Sequence, residues 1–198
     1  DVYIMIKYNF SDGNWNKDDF IYAYSPRCGE FPKYTQEENC IANRQCSGKA
    51  GFEYVSMITK KAYPCNVRIK ATCSFESGAP AIVVSNDIRK DEKYGVNRYG
   101  LHHEFVVYEG GCNIWRIVPW PERTERPAYA IRACFVNTPI EKNKKTELIV
   151  EIRDNLIAAS VNGLSCQHPT PEISEVIHIG MTAAEGINRF YDLTIEEI

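Results

Sequence analysis

Short runs in which apolar and polar residues alternate recur along the whole chain, which is the period of a half-buried strand and not of a helix. The segments with this pattern are Val2–Asn9, Phe20–Tyr24, Phe52–Thr59, Asn66–Phe75, Ala81–Ser85, Leu101–Tyr108, Ile114–Val118, Ala128–Phe135, Glu147–Arg153, Leu156–Val161, Val176–Thr182 and Phe190–Glu196. They are rich in Tyr, Val, Ile, Thr and Phe, which suit a pleated surface. The clearest local signal lies between Leu148 and Gly163, where apolar strands flank Asp154-Asn155 and a second tight turn follows at Asn162-Gly163. Asp, Asn and Gly tolerate the positive φ that a two-residue hairpin turn demands, so a meander of antiparallel strands is expected here. Two stretches break the pattern. Ser25 to Gly51 and Pro119 to Pro127 are rich in Pro, Gly or Asn and read as irregular loops, and loops this long are often functional. Strands separated by turns, with no helices between them, predict an all-β sandwich or barrel.

Composition narrows this picture. A chain of 198 residues, 44% hydrophobic and 25% charged, is expected to form one β-sandwich domain over 1–198. Its size allows a core that needs neither disulfides nor metal. The net charge of −3 carries no long basic run, so a nucleic-acid partner is not expected. No stretch approaches the ~20 apolar residues of a membrane helix, so neither is a membrane partner. The opening Asp1–Ile6 is too short, and lacks the charged start, for a signal peptide; a soluble, cytoplasmic protein is expected, with secretion as the alternative. The 8 cysteines (Cys28, Cys40, Cys46, Cys65, Cys73, Cys112, Cys134 and Cys166) are even in number and permit a disulfide framework. Cys73 and Cys134 fall inside expected strands, where a small thiol packs well, so buried reduced thiols are preferred and a disulfide set stays open. There is no Cys-x-x-Cys pair and no metal site is expected.

Several segments resemble the concanavalin A-like lectin/glucanase superfamily, including laminin-G-like modules and the 3-keto-disaccharide hydrolase-like family. Tyr8-Asn9-Phe10-Ser11-Asp12-Gly13 is similar to the opening strand and turn of those domains. Phe52 to Met57 and Asn66 to Ala71 are similar to their next two strands. Glu147 to Gly163 is similar to their strand, tight turn, strand and Asn-Gly hairpin, and Gly186 to Ile195 to the closing strand that pairs beside the first. The resemblance implies a two-sheet antiparallel jelly-roll sandwich, with a concave sheet face that commonly holds an oligosaccharide or glycoside. Fold alone does not confer that role.

The candidate site is built around Leu101-His102-His103-Glu104-Phe105-Val106-Val107-Tyr108. Alternation puts Leu101, His103, Phe105 and Val107 on one face, the better core face, and His102, Glu104, Val106 and Tyr108 on the other. His102 and Glu104 point the same way and could share a proton, which makes them the candidate catalytic acid/base pair. If Gly110-Gly111-Cys112 forms a three-residue hairpin loop, Arg116 lies beside Glu104 on that face. The alternative is an ordinary exposed strand face with cross-strand charge pairs. Trp115 and Trp120 are candidate platforms for sugar rings; Trp115 could equally be core. Glu185, Asn188 and Arg189 precede the last strand as candidate rim contacts, with turn chemistry as the alternative. Laminarinase-type members of the superfamily carry Glu-x-Asp-x-x-Glu on one strand. Here Glu104 and Glu109 have that outer spacing, but Val106 stands in place of the Asp, so the mechanism is not carried over. Asp12 to Asp18 alternates oxygen-bearing side chains as calcium loops do, but Lys17 and Ala23 stand where such a loop needs Gly and Glu, so no cofactor is expected. The expected function is a carbohydrate-binding or carbohydrate-processing domain; a non-catalytic accessory or protein-interaction domain is the alternative.

Overall fold

The structure, a computed structural model, describes residues 4–26, 28–44, 54–119 and 128–198. In chain order the strands are β1 (Met5–Asn9), β2 (Phe20–Tyr24), β3 (Thr35–Glu37), β4 (Cys40–Ala42), β5 (Tyr54–Thr59), β6 (Tyr63–Pro64), β7 (Val67–Phe75), β8 (Ala81–Ser85) and β9 (Ile88–Asp91). They continue with β10 (Val96–Tyr99), β11 (His102–Tyr108), β12 (Gly111–Pro119), β13 (Ala128–Asn137), β14 (Thr146–Arg153), β15 (Leu156–Val161), β16 (Leu164–Pro169), β17 (Val176–Ala184) and β18 (Asn188–Glu197). A 3-10 turn, Lys17–Asp19, precedes β2.

The strands form two stacked sheets. The first has 8 strands in the order β16-β15-β14-β7-β18-β4-β3, with β1 also on β18; the second has 10 in the order β13-β12-β11-β8-β17-β5-β2-β10-β9, with β6 on β17. The described pairings are antiparallel, except that β10 runs parallel to β2. The alternation in the sequence decides what lies between the sheets. Val67, Ile69 and Ala71 of β7 and Leu148, Val150 and Ile152 of β14 share one core with Ile82 and Val84 of β8, Phe105 and Val107 of β11, and Ile179 and Met181 of β17. Each of these side chains larger than alanine, fully buried, contributes ~1.5–3 kcal/mol. The expected closure of the fold is present: β18 pairs with β1, from Met5↔Glu196 to Asn9↔Asp192. Both expected tight turns have positive φ at both central residues, Asp154 (50°) and Asn155 (64°), then Asn162 (50°) and Gly163 (76°).

Three expectations need correction. The segment from Ser25 to Gly51 is not wholly irregular, because β3 and β4 form a hairpin within it, turning through Asn39 at φ 66°. The short strands β6, β9, β10 and β16 were not expected; two to six residues are too few to show a clear period. The β11–β12 connection is a two-residue turn, since Tyr108 pairs with Gly111, and Val106 faces Asn113 instead of Arg116. That shift of three positions is odd, so it moves Arg116 to the opposite face of the sheet from Glu104.

One feature sets the shape of the site. Ser85 at the end of β8 pairs with His102 at the start of β11, yet the chain between them makes the β9–β10 hairpin. The hairpin folds back across the outer face of the ten-stranded sheet and docks on β2 through Asn97↔Ala23 and Arg98↔Tyr24. Tyr99 of the hairpin is buried with Ala23, Ile58 and Val83, residues on the face that points away from the eight-stranded sheet. The half of this face near His102 is thereby covered, and the half near Tyr108 stays open.

Candidate functional site

The open half of the face holds a cleft of about 330 Å³ lined by Tyr54, Ala79, Ala81, Glu104, Val106, Tyr108, Asn113, Trp115, Thr182, Ala184 and Glu185. Small residues on the central strands (Ala81 of β8, Ala184 of β17) make the floor, and longer side chains make the walls. Glu104 and Trp115 are directly opposite one another on β11 and β12, so their side chains share the face. Of the residues expected from sequence, Glu104, Tyr108, Trp115 and Glu185 are brought together here.

Glu104 sits at the boundary between the open and covered halves and is 5% exposed. Its neighbour His102 is fully buried under the Tyr99 ring, with ring centroids 5.0 Å apart. His102 Nδ1 lies 2.8 Å from the Gly100 carbonyl, which can only accept, so Nδ1 carries a proton. Nε2 then faces Glu104 Oε1 at 3.5 Å, with no closer partner among the described residues. Beside this pair runs a hydroxyl chain. Tyr99 and Ser56 share a hydrogen bond, and Ser56 Oγ is 2.7 Å from Thr182 Oγ1 at the cleft wall. Burial first, and then the Glu104 charge, push the Tyr99 phenol up, so it remains a neutral donor.

The other expected site residues lie elsewhere. His102 does not line the cleft, because the β9–β10 hairpin covers it. Arg116 is on the inner face, paired with Glu172 and close to His103, whose Nε2 contacts Thr170 Oγ1 at 3.1 Å. Asn188 is fully buried and staples a turn: its Nδ2 donates to the Ser77 carbonyl (2.9 Å) and its Oδ1 accepts from the Ala184 amide (3.0 Å). It therefore holds the turn that presents Glu185, which has φ 59°. Arg189 belongs to the other sheet, paired with Glu37 and Glu76. Trp120 lies outside the described residues. Glu109 is on the β11–β12 turn, exposed and paired with Lys142, away from the cleft. The Asp12 to Asp18 segment forms local turns, with Asp12 Oδ1 accepting from the Asn14 amide (2.9 Å) and Asn16 Nδ2 donating to Asp19 Oδ1 (2.8 Å). Among the described residues no group of three or more His, Cys, Asp or Glu could hold a metal ion.

Sequence reasoning did not single out Tyr54, Asn113 or Thr182. It also passed over Arg132 and Phe135 on β13, which pair with Trp115 and Asn113 and so continue the cleft face toward the sheet edge. The Arg132 guanidinium lies 4.5 Å above the Phe135 ring. The available signal was polar or aromatic residues at outward positions of expected strands, which needs the correct register to read.

No family model matches the chain, and no curated protein matches it. Solved structures do. The carbohydrate-binding module CBM66 from Bacillus subtilis aligns with 11% identity and TM-score 0.60 over 90% of this chain and 95% of that one. LamAcat from Zobellia galactanivorans aligns with 10% identity and TM-score 0.65 over 96% of each chain. β-Agarase A from the same organism aligns with 10% identity and TM-score 0.66 over 99% of this chain and 92% of that one. The fold is thus the concanavalin A-like jelly roll that the sequence resembles.

Proposed function

We propose that the protein binds an oligosaccharide or glycoside in the cleft on its ten-stranded sheet. The observation that carries this reading is the meeting of a buried carboxylate, Glu104, with Tyr54, Tyr108 and Trp115 around one cleft. Sugar rings present apolar CH faces to aromatic side chains and hydroxyls to carboxylates and amides, and this lining offers both kinds of partner. Glu185 and Asn113 supply further acceptors and donors at the walls. The volume is at the small end of the ~300–1,000 Å³ of ligand pockets, which suits a short glycan segment. The similarity to a carbohydrate-binding module and to LamAcat supports the same reading at the level of fold.

A second reading, glycoside hydrolysis, is favoured by the His102–Glu104 geometry. With Nδ1 donating to the Gly100 carbonyl, Nε2 of His102 faces a carboxylate oxygen of Glu104. The contact becomes attractive when the pair holds a further proton, and that proton is the one a general acid delivers to a glycosidic oxygen. In this reading Glu104 is the acid, His102 supports it from behind, and Glu185 is the second carboxylate of the cleft.

One set of variants tests both. Trp115→Ala should weaken binding of a panel of neutral and acidic oligosaccharides at least ~10-fold, a loss of about 1.4 kcal/mol, by calorimetry. Glu104→Gln should abolish turnover while leaving binding measurable if the protein is a hydrolase. A glycan array with neither binding nor turnover at millimolar ligand would sink the carbohydrate reading and favour an interaction domain.

A further inference from the structure

On the opposite face of the ten-stranded sheet from the cleft, two thiols meet where the edges of the sheets come together. Cys134 lies on β13, the edge of the ten-stranded sheet, and Cys166 lies on β16, the edge of the eight-stranded sheet. Their Sγ atoms are 3.0 Å apart. That is about 1 Å beyond the ~2.05 Å of a disulfide bond. Both side chains are partly exposed, and among the described residues both strands have one unpaired side, so a small oxidant can reach them. Pairing explains why the thiols meet. Cys134 is opposite Ile114 of β12, an inner-face residue, so Cys134 points inward past the end of the core. Cys166 is opposite Ala159 of β15, which is also buried in the core.

We infer that Cys134 and Cys166 are a thiol–disulfide exchange site that clips the open edge of the sandwich. The oxidant class is a small disulfide such as oxidised glutathione, or the disulfide of a protein oxidoreductase. The Cys166 thiolate attacks one sulfur of that disulfide, and the other sulfur leaves as a thiolate. Cys134 then loses its proton to solvent and attacks Cys166 Sγ, expelling the second thiol. Two protein thiols become one disulfide, and one disulfide becomes two small thiols, so electrons and protons balance. Cys134 is the resolving thiol: its Sγ–H donates toward Cys166 Sγ, and burial together with the neighbouring Cys166 raises its pKa. The second step should therefore accelerate with rising pH. A third thiol, Cys112, is fully buried nearby and pushed up by burial, so it is a poor competitor for the oxidant.

The bond would also bear on the cleft wall, because β13 pairs with β12, which carries Asn113 and Trp115. It would not touch the groups proposed to contact ligand, so the site stands or falls independently of the glycan reading.

The test uses the full chain, reduced, desalted, and incubated with oxidised glutathione at neutral pH. Remaining thiols are then alkylated under denaturing conditions and mapped by mass spectrometry. The expected result is a cross-linked peptide pair holding Cys134 and Cys166, with the other cysteines alkylated. The melting temperature should rise by about 5–10 °C and fall back with dithiothreitol, as expected for a link that closes a loop of this length. In Cys134→Ser, glutathione should remain attached to Cys166. Alkylation of both thiols in the oxidised wild type would overturn the inference, as would a Cys112–Cys166 cross-link or a stable glutathione adduct on wild-type Cys166. The wild-type map decides the question even if a cysteine variant fails to fold.

Discussion

His103 should make the fold acid-labile in a pH range where carboxylates are still ionised. Its side chain is fully buried between the sheets, next to the Arg116–Glu172 pair. Burial is the main cause that lowers its pKa from 6.5 to about 4; the Glu172 charge opposes this, and His102, Arg116 and His168 add to it. The folded state thus holds a neutral ring where the unfolded chain, below pH 6.5, holds a charged one. The unfolded state binds more protons between 6.5 and 4, so stability is intact above 6.5 and is lost as pH falls toward 4. At ~1.36 kcal/mol per pH unit, the full loss is about 3 kcal/mol, of which about 2 kcal/mol has gone by pH 5. The groups with lowered carboxyl pKa values, Glu37, Asp91 and Glu172, act at lower pH, since their contribution disappears only as pH falls below the ordinary carboxylate range. Urea midpoints between pH 7.5 and 5 therefore isolate the histidine. His103→Gln retains an amide donor within reach of Thr170 and removes the titration. Wild type should lose about 2 kcal/mol more than His103→Gln across that range. Parallel stability curves for the two proteins would refute the buried neutral histidine.

Other perturbations have equally definite outcomes. Asn188→Ala leaves the Ser77 carbonyl and the Ala184 amide without their side-chain partners, and should cost about 2–3 kcal/mol in chemical denaturation. It should also weaken ligand binding, through Glu185, while retaining the strand content seen by circular dichroism. Gly111→Ala places a Cβ 1.9 Å from the Val136 carbonyl at φ 141°, and should lower stability by roughly 3 kcal/mol or more; a melting temperature within 2 °C of wild type would contradict the tight β11–β12 turn. Tyr99→Ala should cost ~3–5 kcal/mol and undock the β9–β10 hairpin, read as faster amide exchange through residues 86–101 with little change in β7 or β14.

Much of the fold was legible because the period of two is enforced by a core with two sheets to fill. Ile69, Val150 and Phe105 all lie on the face their alternation assigns. The turns at Asp154-Asn155 and Asn162-Gly163 were legible for a chemical reason, since few residues accept positive φ. The site was half legible. Alternation within β11 placed Glu104 and Tyr108 together without any knowledge of partners. Pairing across strands was not deducible, because Glu109-Gly110-Gly111-Cys112 allows turns of either length, and the assumed Gly110-Gly111-Cys112 loop shifted the pairing by three positions and put Arg116 on the wrong face. The burial of His102 depends on where a distant hairpin docks. Nothing in Ile88–Asp91 or Val96–Tyr99 announces that β10 will run beside β2. Asn188 looked like a rim contact because a loop amide and a stapling amide have the same sequence signature.

The hairpin also bears on the role proposed for Glu104. On an open concave face a carboxylate would be a solvated group of no consequence. Here the covered half brings Val83, Tyr99 and His102 against it and leaves it 5% exposed. Placing a carboxylate in such surroundings costs free energy, and a purely structural sandwich would gain by an apolar residue, as Val83 shows on the adjacent strand. The cost is concentrated at the one point where the covered half meets the cleft, beside Trp115. A buried acidic side chain that opens onto an aromatic-walled cleft suits the binding role proposed for it. The same geometry explains why the superfamily's strand motif is not needed for this reading. The second acidic group of the cleft, Glu185, comes from the turn before β18, held there by Asn188, and not from two residues further along β11.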